Sequence, residues 1–217
     1  MAENVRLTTK DGKSIAALYY GVPAPKGWMV YSHMMPATKE SWKELAEYLQ
    51  AAGYAGLAID LRGHGESDGG PNGYKNFSDA EHAASIYDLE AAAAFLSKAG
   101  AMPAKMVFAG ASIGANLSLK YISIHPECKT AIVLSAGLNY RGIATLPPVK
   151  SLKSDQRVFF AASRDDGNSA EENQALYDAL PGGATKKIEL YATGGHGTSL
   201  FASHPELTEL IKKFIAF

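Results

Sequence analysis

Residues 5–9 alternate apolar and polar side chains, Asp11-Gly12 supplies a tight turn, and residues 14–20 return rich in apolar and aromatic side chains. This pattern predicts a β-hairpin. After the turn-rich GVPAPKG, residues 28–31 form a short apolar run, and Trp42, Leu45, Ala46 and Leu49 then fall at helical spacing until Gly53. From there the hydrophobic period switches repeatedly between two and 3.6. Strands are predicted over 55–59, 106–109, 131–134, 158–161 and 187–191, and helices over 79–99, 115–124, 170–180 and 205–217. Ser203 and Glu206 are spaced as a capping box for the last helix. The alternation predicts an α/β fold, with a mostly parallel twisted sheet, an antiparallel hairpin at its amino-terminal end, and helices on both faces.

No repeat, low-complexity tract or linker interrupts this rhythm, so residues 1–217 read as one domain. The longest irregular stretches, 61–78 and 135–156, can form a flap or a helical turn but not a folded lid. A minimal cap, or none, and an open site are expected.

Composition narrows the function classes. With 47% hydrophobic residues the chain can build a core, which excludes disorder. Its 21 Lys plus Arg nearly balance 22 Asp plus Glu, leaving a net charge of −1 and no basic footprint for nucleic acid. Apolar runs fall short of the roughly 20 residues that a membrane helix requires, and MAENVRLTTK lacks the marks of a signal peptide, so neither a membrane nor an export route is expected and the chain reads as cytoplasmic. The single cysteine, Cys128, forms no intrachain disulfide and no thiolate metal cluster. No histidine pair has metal-ligand spacing such as H-E-x-x-H, and no metal site is expected.

The chemistry concentrates at predicted strand ends. The strand KMVFAG runs into GASIG and then a helix, placing Ser112 in a G-x-S-x-G pentapeptide in the strand, turn, helix context that exposes a serine hydroxyl. Glycines at 110 and 114 let strand and helix approach closely. A serine hydroxyl is a weak nucleophile near neutral pH and needs an imidazole to take its proton and a carboxylate to orient that imidazole. His196 follows the last predicted strand, among glycines, and Asp165 and Asp166 follow the strand before it, at the edge where open α/β sheets carry their ligands. Each has an ordinary reading taken alone, as a helix cap, a loop histidine or turn aspartates. Three such residues at three predicted strand ends, in the order Ser, Asp, His, favour catalysis.

GASIG, the late Asp and His, LAIDLRGHGESDG and MVYSHMMPATKESW together resemble the α/β-hydrolase superfamily, over nearly the whole chain and most closely its small, nearly lidless esterases and dienelactone-hydrolase-like members. The resemblance implies Ser112 as nucleophile, His196 as general base and Asp166 as the orienting acid, with Asp165 the close alternative. It places an oxyanion hole at the backbone N–H groups of Met35 and Ile113, with Met34 standing where the family usually has glycine. Asp60, Arg62 and His64 would brace a loop. His82, in a predicted helix, and His125, at a helix end, are expected to face solvent or cap carbonyls, and Cys128 to be inert. The implied activity is cofactor-independent hydrolysis of small or short-acyl carboxylic esters through an acyl-enzyme, with Met34, Met35, Ile113, Leu138, Tyr140 and Leu200 as pocket walls. The same elbow could serve a thioesterase, lactonase or peptidase, or a ligand receptor with slow hydrolysis.

Overall fold

In the computed structural model, which describes residues 2–216, the hairpin strands are β1 (Glu3–Thr8) and β2 (Ser14–Tyr20). The remaining long strands are β3 (Trp28–Ser32), β4 (Ala55–Ile59), β5 (Met106–Ala111), β6 (Thr130–Leu134), β9 (Arg157–Ser163) and β10 (Thr185–Tyr191). Between β6 and β9 lies a small hairpin, β7 (Asn139–Tyr140) and β8 (Ile143–Ala144). The helices are α1 (Lys43–Ala51), α2 (Asp79–Ala83), α3 (Ile86–Lys98), α4 (Ile113–Ile124), α5 (Leu146–Ser151), α6 (Ser169–Ala179), α7 (Leu200–Ser203) and α8 (Glu206–Ile215). Eight strands form one sheet in the order β1-β2-β4-β3-β5-β6-β9-β10, antiparallel from β1 to β4 and parallel from β4 onward.

Both faces of the sheet are covered, which is why its central strands read as unbroken apolar runs. Along β5, Met106 and Phe108 enter a layer with Leu89 and Leu96 of α3, Leu117 of α4 and Leu176 of α6. Val107, Ala109 and Ala111 enter the opposite layer with Leu45 and Leu49 of α1 and Leu207, Ile211 and Phe214 of α8. The period of two along the strand thus feeds two cores. Segments 112–113, 135–138, 164–168 and 192–199 leave the carboxyl ends of β5, β6, β9 and β10 and lie together at one edge. Among the described residues no insertion forms a cap, and no helix is long and apolar enough to cross a membrane.

Three expectations are corrected. The helix expected over 79–99 is two helices. The ladder breaks at Ala84 and Ser85, where Ser85, Tyr87 and Asp88 donate to carbonyls three residues back, and the break accompanies burial of two polar residues, His82 and Ser85. His82 therefore does not face solvent; it is 3% exposed and packs edge-on against Phe77. The Ser203–Glu206 capping box does not form, because α7 runs through Ser203 and α8 starts behind Pro205 without a side-chain cap. A capping box forms instead at α2, where Ser78 N–H donates to Glu81 Oε2 at 2.8 Å and Glu81 N–H to Ser78 Oγ at 3.3 Å. The expected last helix ends at Ile215, and Phe217 lies outside the described residues.

Candidate active site

Gly110 and Gly114 allow β5 to turn directly into α4. A Cβ on Gly110 would stand 2.1 Å from Gly114 O, and one on Gly114 would stand 2.2 Å from Ser32 O and 2.9 Å from His33 O. Those neighbours are backbone and cannot swing aside. Gly114→Ala is accordingly expected to cost about 3 kcal/mol, the upper part of the range for overpacking, read as a lowered urea midpoint; wild-type stability would show that α4 can back away from β3.

Between these glycines Ser112 has φ 54° and ψ −118°, a region costly for a non-glycine residue and characteristic of functional strain. Its backbone is pinned, with the N–H donating to Leu134 O at 2.9 Å and the carbonyl accepting from Asn116 N–H at 3.1 Å. The residue is 8% exposed and its hydroxyl has no hydrogen bond to the described residues, His196 included. Open hydroxyl-to-base contacts are common before substrate binds.

His196 and the two aspartates are brought together with a clear division. Asp166 Oδ2 lies 2.7 Å from His196 Nδ1. An ionised carboxylate only accepts, so Nδ1 carries the proton and Nε2 keeps the free lone pair. Asp165 does not touch the ring. Its Oδ2 accepts from Gly194 N–H and its Oδ1 from Gly195 N–H, both at 3.1 Å. The loop then closes onto the elbow: Gly197 N–H donates to Ser135 Oγ at 2.9 Å, and a Cβ on Gly197 would lie 3.2 Å from Ala111 Cβ and 2.6 Å from Met34 Sδ. His196 and Ser112 are therefore each one residue from a direct contact between their segments.

The loop after β3 passes the start of α4 where Gly114 meets the Ser32 and His33 carbonyls. Ile113 N–H is a first-turn helix donor, and neither it nor Met35 N–H has a partner among the described residues. The fully buried His33 sets this loop. Leu61 N–H donates to its Nε2 at 2.9 Å, so Nδ1 bears the proton and donates to Met34 O at 2.8 Å. In a trans peptide the Met35 N–H points opposite to that carbonyl, away from the His33 ring.

Burial lowers the His33 pKa to about 4, with the neighbouring His64 acting in the same direction. The unfolded chain protonates this ring near its ordinary value while the folded chain does not, so its stabilising contribution is complete above about pH 6.5 and is lost as pH falls through 4. In urea titrations, the stability advantage of wild type over His33→Gln is expected to shrink by on the order of 3 kcal/mol between pH 7 and pH 4; a constant difference would mean the ring takes up its proton as readily in the folded protein as in the unfolded chain.

The other expected residues sort into support and core. Arg62 donates from Nε and Nη2 to Asp88 at 2.9 and 2.8 Å and from Nη1 to Asp11 at 2.6 Å, and Asp60 accepts from Lys39 N–H and Nζ at 2.8 and 2.9 Å. His64 stacks on Tyr74 at 4.2 Å and meets His33 edge-on. Burial pushes the Cys128 thiol up to about 12, away from the site. Leu200 and Ile113, at 0% and 1% exposure, are core residues rather than pocket walls. Met34 packs on the His196 loop, Met35 is partly buried against the core, and Leu138 is exposed. Tyr140, on β7, presents its ring edge-on to His196 at 6.4 Å. Among the described residues no group of three or more His, Cys, Asp or Glu could hold a metal.

Sequence reasoning missed Ser135, Ser163 and His204, all of which hold the His196 loop. Ser163 Oγ reaches Gly195 O at 2.8 Å, and His204 Nε2 donates to Thr193 O at 2.7 Å while its ring stacks on Tyr191. A signal existed for the serines, since each is the first polar residue at the carboxyl end of an apolar strand, TAIVL and VFFAA.

The family model for serine aminopeptidases, S33, matches residues 23–157. Among solved structures, DcsB, determined in complex with its substrate analogue, superposes with a TM-score of 0.83 at 16% identity, covering 99% of this chain and 98% of that one. The Pyrococcus furiosus esterase Pf2001 gives 0.80 at 19% identity, covering 99% of this chain and 91% of that one. The Exiguobacterium antarcticum esterase EaEST gives 0.76 at 13% identity, covering 98% of this chain and 99% of that one. At these identities the likeness is one of fold. No curated protein sequence matches the chain.

Proposed function

Because the chain belongs to the serine aminopeptidase S33 family and is a hydrolase of the α/β-hydrolase superfamily, we propose that it cleaves small or short-acyl carboxylic esters through an acyl-enzyme. The observation that carries this reading is the Asp166–His196 hydrogen bond of 2.7 Å, which leaves Nε2 basic on a loop packed against the elbow of Ser112. In the first step Ser112 Oγ attacks the ester carbonyl carbon while His196 Nε2 takes the hydroxyl proton. Negative charge gathers on the carbonyl oxygen, where the unpartnered N–H groups of Met35 and Ile113 serve as donors; one such donor is typically worth about 2.7 to 4 kcal/mol. His196 then returns the proton to the departing alkoxide. Water, deprotonated by the same imidazole, releases the acid and restores Ser112.

A fluorophosphonate is the direct test. It should label wild type once, on the peptide carrying Ser112, and ester turnover should disappear in step; labelling elsewhere, or none, would reject the assignment. Substrate size follows from the small β7–β8 flap and the absence of a cap among the described residues. Nitrophenyl acetate and butyrate are expected to exceed the palmitate by at least about tenfold in kcat/KM, a difference of ~1.4 kcal/mol, and preference for the longest acyl chain would overturn the open-site argument. The family description favours one second reading, release of amino-terminal residues, and aminoacyl nitroanilides in the same panel separate the two.

A further inference from the structure

The loop carrying His196 has few side chains with which to hold itself. Of the five residues from 193 to 197 three are glycine, and Gly194, Gly195 and Gly197 have φ of 149°, 70° and 58°. Such a segment is unusually free before folding, so its order must come from outside. The consecutive N–H groups of Gly194 and Gly195 converge on a single carboxylate, an arrangement suited to an anion. That anion is Asp165, and the buried Ser163 hydroxyl adds a third contact at 2.6 Å to Oδ1.

Building on the hydrolytic reading above, we infer that Asp165 is a positioning residue: it clamps the backbone immediately before His196 and so sets where the imidazole stands relative to Ser112, without exchanging a proton with it. Two adjacent carboxylates divide the task. Asp166 grips the ring and fixes its tautomer, while Asp165 grips the chain and fixes its location. The donors around Asp165, with Ser163 first, hold its carboxyl below the usual carboxylate range, so the clamp remains ionised at neutral pH. His204 extends the same restraint by donating to the Thr193 carbonyl.

The test compares Asp165→Asn, Asp165→Ala and Asp166→Asn. Asparagine keeps Oδ1 as an acceptor for Ser163 and Gly195 but turns an amide donor toward Gly194 N–H, whereas alanine removes all three contacts. For nitrophenyl acetate, kcat is expected to fall about 10-fold in Asp165→Asn and about 100-fold in Asp165→Ala, the scale of a misplacement of roughly 1 Å, with KM within about twofold. Fluorophosphonate labelling of Ser112 should slow in proportion, and the proton resonance of His196 Nδ1–H should broaden as the ring loses its fixed place. Should Asp165→Ala fail to fold, Asp165→Asn and Ser163→Ala carry the comparison. Wild-type kcat, labelling rate and resonance in these variants would overturn the inference, as would a loss in Asp165→Asn matching that of Asp166→Asn. A wild-type protein that neither hydrolyses esters nor labels at Ser112 would defeat the hydrolytic reading instead, and the His196 resonance would still report whether Asp165 holds the ring.

Discussion

Ser112→Ala is expected to yield a folded protein whose ester turnover is lower by about four to six orders of magnitude. The structural part of this expectation follows from what the hydroxyl does not do: it makes no hydrogen bond to the described residues, so its removal strands no partner. The elbow itself is held by backbone bonds to Leu134 and Asn116, which alanine keeps. Alanine at φ 54° is as strained as serine, so the substitution neither relieves nor adds backbone strain. A stability change within about 1 kcal/mol should therefore accompany a very large kinetic effect. The kinetic part follows from the role of the oxygen: without it no acyl-enzyme forms, and only whatever the Met35 and Ile113 donors provide to direct attack by water remains. Steady-state assays with nitrophenyl acetate, alongside fluorophosphonate labelling, decide the matter. A variant with most of its activity intact would remove Ser112 from the mechanism.

Asp166→Asn is expected to lower kcat by about 10⁴-fold with little change in fold. The carboxylate accepts from His196 Nδ1–H at 2.7 Å. An asparagine that turns its amide N–H toward the ring favours the opposite tautomer, with the proton on Nε2, and an imidazole in that state cannot accept a proton from Ser112. The prediction is sharpest beside Asp165→Asn, where about 10-fold is expected through misplacement of the loop. A separation of about three orders of magnitude between neighbouring residues would establish the division of labour. Equal, mild losses in both would leave the orienting group unidentified and weaken the hydrolytic reading with it.

Much of the fold was legible because it rests on periods that the backbone imposes. Apolar residues alternating through β5 feed two layers, and GASIG announces a tight turn because only glycine tolerates the approach at 110 and 114. The predicted elements coincide with the observed ones to within a few residues, apart from the helix expected over 79–99. That helix was illegible as two because its break buries His82 and Ser85 together, and nothing in the local spacing announces which polar residues a distant surface will cover. Leu200 misled for the converse reason. It was expected as a pocket wall, but as the first residue of α7 it is fully buried in the layer that holds Leu207 and Ile211 of α8.

The sequence by itself determined the alternating strands and helices, the strained serine elbow and the order in which serine, aspartate and histidine appear, because these depend on sterics within a few residues of chain. Tertiary structure decided which of two consecutive aspartates faces the imidazole, that the other holds the glycines before it, and that Ser135, Ser163 and His204 steady the same loop. Those choices join segments about 10 to 60 residues apart. Neighbouring side chains of identical chemistry differ only in direction, and direction is fixed by the packing of β9, β10 and the loops beyond them.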